Sequence, residues 1–121
     1  MRTRPEGADL LDAAQALLRE RLLQELPSQR KHEALMICNA MNIAARQLRY
    51  GELPEREELQ SLQAMLHVGQ VDLVAGNLLL ALRLREGFGD PGQSQREQAL
   101  AHLRSSVGQA VAESSPEYLK Q

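Results

Sequence analysis

The chain has 121 residues, enough for one domain that buries roughly 65% of the surface its unfolded form exposes, so no disulfide or metal staple is required. It is 43% hydrophobic and 25% charged but holds only two tyrosines, one phenylalanine and no tryptophan, and a core of leucine, alanine, valine and methionine suits helices and argues against a sheet. Fourteen basic side chains scattered among sixteen acidic ones give a net charge of −2, which disfavours a nucleic-acid partner, and no run of eighteen apolar residues offers a membrane span.

Thr3 and Glu6 have capping-box spacing with Pro5 in the first turn, which predicts a helix start. Leu10, Leu11, Ala14, Leu17, Leu18, Leu22 and Leu26 then recur at intervals of three and four as an inward stripe. Pro27 interrupts the pattern. Ser28 is a natural cap for the next helix, so the first connection is short and the two helices are expected to run antiparallel.

The stretch from residue 28 to 50 reads as the central helix. At about 100° per residue, Ala34, Ile37, Cys38, Ala40, Met41, Ala44, Ala45 and Leu48 fill a broad apolar arc, and Leu35, Met36 and Ile43 lie outside even that arc. One polar seam remains: His32, Asn39, Asn42 and Arg46, spaced so that consecutive members share a face. Two readings stay open for it. The seam faces water or caps neighbouring backbone, or it forms a ligand or partner site together with His102 of the fifth helix. The lone Cys38 falls on the apolar arc. A buried free thiol points to a reducing, cytoplasmic setting, as does an N-terminus, MRTRPEGADLL, without the apolar run of a signal peptide.

Gly51 and Pro54 close the central helix and open a third, short one, with Glu55, Glu57 and Glu58 in its first turn and Leu59, Leu62 and Leu66 as its stripe. It ends near His67. The fourth helix, about Val71 to Glu86, is apolar on nearly every side, and Leu78, Leu79, Leu80 and Leu82 form a candidate self-association surface for a homodimer. Complete coverage by helices three and five is the competing reading. The GFGDPG loop at 87–92 resembles no phosphate loop, since it follows a helix and lacks Gly-Lys-Ser/Thr. Ser94 and Glu97 make a second capping box for a fifth helix to about Glu113, with Leu100, Leu103, Val107, Ala110 and Val111 facing inward. Ser115-Pro116 stops it.

The expected architecture is all-α: one domain, 1–121, in which an antiparallel bundle of five helices, four long and one short, surrounds the central helix 28–50. No metal site is expected, because the three histidines lie on three helices and no H-x-x-x-H or E-x-x-H occurs. No catalytic residue or cofactor is assigned either. The serines lack any strained nucleophile turn, and Ser28, Ser94 and Ser115 are accounted for as caps.

RPEGADLL at Arg4 to Leu11, NAMNIAARQL from Asn39 to Leu48, AHLR from Ala101 to Arg104 and SPEYL from Ser115 to Leu119 together resemble a bacterial family of small all-helical domains of unknown function. Its members are often encoded beside aminoglycoside-phosphotransferase-like proteins and acyl-CoA dehydrogenases. The resemblance implies a non-catalytic accessory or interaction role with such a partner in acyl-CoA-related catabolism, and supplies no catalytic residue. Asn39, Arg46, Leu48 and Gly51 match the family's central-helix pattern, whereas Asn42 and Gln47 depart from it. Asn39 and Arg46 are therefore the seam members retained. The alternative is a small-molecule-binding protein or enzyme with an anion-accepting pocket at those two residues.

Overall fold

The computed structural model describes residues 6–120. Among them there are five α-helices and no strand: α1 (Gly7–Leu17), α2 (Ser28–Tyr50), α3 (Leu53–Leu66), α4 (Leu73–Arg85) and α5 (Arg96–Ser114). None of these helices is long and apolar enough to cross a membrane. The chain divides into two compact units between Gly51 and Glu52.

In the first unit α1 and α2 form an antiparallel hairpin. Gly7 lies against Leu48, and the Cys38 thiol approaches the Gln15 carbonyl at 3.7 Å. Thr3 and Pro5 of the expected cap lie outside the described residues; the Glu6 amide donates to the Asp9 carboxylate at 3.1 Å. The hairpin closes on small side chains: Ala8, Ala34, Cys38 and Ala45 are buried. The spacing of 34, 38 and 45 makes this a narrow seam in place of the broad arc, and Met36, Ile37 and Leu48 stay exposed. A single partner helix covers only one stripe of another helix.

The first helix also ends differently from its periodicity. Leu18–Leu22 winds as a π-helix and Leu23–Glu25 as a 3-10 turn. A π turn adds a residue and so rotates everything after it. Of the leucines expected inward, Leu10 and Leu17 before this segment and Leu22 within it are exposed, while Leu11, Leu18 and Leu26 are half-buried. Pro27, in extended conformation, caps α2, so Ser28 is the first helical residue and not the cap. Arg49 in the last turn of α2 donates to Asp12 at 2.7 Å and to Asp9 at 3.3 Å. The hydrogen bond to Asp12, foremost, raises the guanidinium pKa above its ordinary value.

The second unit begins beyond Gly51, whose φ of 69° only glycine adopts at low cost. Pro54 sits in the first turn of α3, where its missing N–H is harmless. At the other end His67 takes the left-handed conformation, φ 54°, as C-cap. Asp72 caps α4 by accepting the Ala75 amide at 2.7 Å, so the helix starts at Leu73. Leu62, Met65 and Leu66 of α3 meet Leu80 of α4 and Ala99 of α5 in the core, with Val68, Leu73, Leu79, Leu84 and Phe88 packed around them. Gly76 allows the closest approach: a Cβ there would stand 3.1 Å from the Leu62 Cδ1.

Two expectations for α5 do not hold. The Ser94 capping box does not form, because turns continue through the Arg96 amide to the Gln93 carbonyl, and Gln95 becomes an N-cap without a side-chain bond. The inward stripe is also displaced. Ala99 and His102 are buried and Ser106 and Gln109 half-buried; of the expected stripe Leu100 and Val111 are half-buried, whereas Leu103, Val107 and Ala110 are exposed, Val107 by 59%. One residue of offset is about 100° of rotation. Beyond Ala99 the facing side of α3 is polar, so α5 presents its polar stripe there.

Candidate functional site

The seam of α2 is split by its surroundings. His32 and Asn39 are exposed, while Asn42 and Arg46 are half-buried. His102 belongs to the second unit, where its partner is Ser61 of α3. A cation of α2 that links it to α1 is Arg49, which no short motif marks, because Asp9 and Asp12 lie 40 and 37 residues away.

Of the four leucines assigned to self-association, Leu80 is core and Leu79 packs against the core, so neither belongs to a surface. Leu78 and Leu82 are exposed by 61% and 46%, and Val74, one turn before Leu78, by 81%. Ala75 and Ala81 flank them, also exposed. The spacing 74, 78, 82 keeps the three large side chains on one face.

A second feature arises where α3 and α5 run antiparallel. Between them opens a groove of about 500 Å³, lined at one end by Pro54, Glu57, Glu58 and Glu113 and at the other by Ala64, Met65 and Ala101. Midway stands His102, only 4% exposed. Its Nδ1 is 2.9 Å from the Ser61 Oγ, and its buried Nε2 has no hydrogen-bond partner among the described residues. Either tautomer leaves that nitrogen short of one bond: an acceptor when Nδ1 carries the proton, a donor when the serine hydroxyl donates. Such an orphaned buried group costs on the order of 1–3 kcal/mol.

The carboxylates at the acidic end are held in place. Asn77 of α4 donates its Nδ2 to the Glu58 Oε1 at 3.2 Å and to the Leu73 carbonyl at 3.0 Å, and Gln109 donates to the Glu113 Oε2 at 2.7 Å. Among the described residues no three His, Cys, Asp or Glu side chains converge on a point suited to a metal ion. The serine–histidine contact does not resemble a hydrolytic pair. Ser61 lies inside α3, where adjacent backbone N–H groups serve the helix and none faces a developing oxyanion.

His102 was identifiable from the sequence, but as a companion of α2. Ser61 and the glutamates of α3 were not. The available signal was a polar repeat at helical spacing on two helices: Glu57, Glu58 and Ser61 on α3, and Gln98, His102, Ser105 and Gln109 on α5.

Residues 24–118 match the family described as a domain of unknown function (DUF6285). The match begins after RPEGADLL, contains NAMNIAARQL and AHLR, and ends within SPEYL at Tyr118. No curated protein and no solved structure matches the chain.

Proposed function

The chain belongs to the DUF6285 family, and on that premise we propose that it is a non-catalytic interaction domain that works as a homodimer through α4. One observation carries this reading: the exposed face of α4 is nearly palindromic. About Leu78, Val74 and Leu82 stand four residues to either side, and Ala75 and Ala81 three residues to either side. A two-fold axis through Leu78 sets Leu78 against its own copy, Val74 against Leu82 and Ala75 against Ala81, which is the self-complementarity an isologous interface needs. The alanines let the two backbones approach.

Sedimentation equilibrium over a range of protein concentrations tests this. The expected result is a reversible rise from 13.5 kDa to twice that mass, abolished in Leu78→Lys with an unchanged helical spectrum. A wild-type chain that stays at 13.5 kDa up to millimolar concentration overturns it.

The partner reading is narrower. The resemblance to domains encoded beside phosphotransferase-like proteins and acyl-CoA dehydrogenases supports an accessory role for the dimer in acyl-CoA-related catabolism, with a phosphotransferase-like protein as partner. Co-expression of the two, with loss of copurification in Leu78→Lys, is the expected result; retained copurification removes α4 from the contact. The half-burial of Arg46 favours one second reading, an anion-accepting pocket at Asn39 and Arg46. Under it, CoA esters or phosphorylated metabolites raise the melting temperature of the wild type but not of Arg46→Ala.

A further inference from the structure

We infer that the groove between α3 and α5 is a binding site for an organic cation, an ammonium or guanidinium group carried on an apolar stem. The inference uses a surface separate from the exposed face of α4 and stands or falls apart from the dimer.

The groove has the volume of a small-molecule site, about 500 Å³. Its polarity is graded along its length. Glu55, Glu57, Glu58 and Glu113 line it, and among the described residues no lysine or arginine does. Carboxylates that line a groove whose described lining holds no cation create a negative potential that attracts one. They do not converge as metal ligands, so the site suits a charge spread over several N–H groups better than a compact ion. Two of the four are already oriented by amide donors from Asn77 and Gln109, which lowers the ordering needed when a ligand arrives.

An acidic rim alone describes many solvated helix faces. What separates this one is the group at mid-groove. His102 is 96% buried by its 4% exposure, lines the groove, and keeps a nitrogen with no partner among the described residues. With the Nδ1 proton donated to the Ser61 oxygen, Nε2 offers a lone pair. An N–H donor that reaches it from the groove completes it, and because Nε2 is closed to solvent a neighbouring side chain shifts as it enters. Past the imidazole, Ala64, Met65, Leu73 and Ala101 supply apolar surface for a stem. From Glu55 to Ala64 along α3 the distance is about 13 Å at 1.5 Å per residue, room for a charged head at one end and a stem of several carbons at the other.

The test is a titration of the ¹⁵N-labelled full chain with octylguanidinium, octylammonium and octanoate, three probes that share one stem. Both cations are expected to shift the amides of Ser61, His102 and Ser106 and the His102 imidazole nitrogens, with octanoate leaving them in place. Glu55 and Glu57 are exposed, so E55Q combined with E57Q keeps the fold while weakening cation binding about tenfold, in a manner that added salt reproduces in the wild type. H102L is expected to weaken binding of both cations while octanoate remains inert. Octanoate shifting the same residues as strongly as the cations, shifts confined to residues outside the groove, or no shift with either cation at millimolar concentration overturns the assignment.

Discussion

The His102 Nδ1 and the Ser61 Oγ, 41 residues apart in the chain, lie 2.9 Å from one another across α3 and α5, and this contact is the polar centre of the second unit. Ser61→Ala leaves both imidazole nitrogens without partners and is expected to destabilise the protein by about 1–3 kcal/mol. His102→Leu removes the polar ring altogether and is expected to be close to neutral, since replacing an imperfectly satisfied buried group by an apolar one recovers its desolvation penalty. Urea unfolding of the two variants checks the order of the effects, read as midpoint shifts at constant slope. A His102→Leu variant less stable than Ser61→Ala refutes the assignment of Nε2 as an unmet group.

Gly76 and Gly108 make a matched pair. Both lie inside helices, where alanine is intrinsically better than glycine by up to about 1 kcal/mol. At Gly108 nothing stands within 4 Å of an added Cβ, so Gly108→Ala is expected to stabilise by roughly that amount. At Gly76 the new Cβ meets Leu62, itself fully buried, and overpacking of about 1–3 kcal/mol outweighs the propensity gain. Thermal melts of the two single variants should move in opposite directions.

The ends of α2 and α3, both with positive φ, reverse each other's logic. His67 holds φ 54° with a side chain, which costs about 1–2 kcal/mol relative to glycine's freedom there. His67→Gly is expected to stabilise by roughly 0.5–1 kcal/mol after glycine's larger unfolded-state entropy is counted. Gly51→Ala, at φ 69°, is expected to destabilise by about 1 kcal/mol or more although no atom lies near the new Cβ. Chemical denaturation of both variants distinguishes backbone strain from contact loss.

Leu62 and Leu78 separate core from surface. Leu62 is 0% exposed, and Leu62→Ala is expected to cost about 2–5 kcal/mol. Leu78→Ala should change the stability of the isolated chain by no more than about 0.5 kcal/mol, while weakening its association. Unfolding measured at low micromolar concentration, below association, isolates the first effect from the second.

Helix number and most boundaries were legible because their determinants are local. Pro27, Gly51 and Pro54 act through their own backbone or the adjacent turn, and all three fall at helix ends; Asp72, read as lying inside the fourth helix, is its N-cap. Which face turns inward was less legible. The apolar repeat of α5 at Leu103 and Val107 is real, yet its neighbour α3 offers polar side chains at that level, so the helix is rotated by one residue. The π turn at Leu18–Leu22 was not legible either, since nothing in its composition distinguishes it from an ordinary helical turn. On α4 the apolar content was obvious, but only the packing of Leu79 and Leu80 onto Leu62 and its neighbours separates core leucines from those left outside.

The closure of the first hairpin on alanines has a practical corollary. Cys38 is the only thiol in the chain, is 1% exposed, and sits in that seam against the Gln15 carbonyl. A thiol reagent reaches it only when α1 and α2 part. Its alkylation rate is therefore a built-in clock for opening of the hairpin, blind to events in the second unit that leave the hairpin shut, and available without introducing any label site.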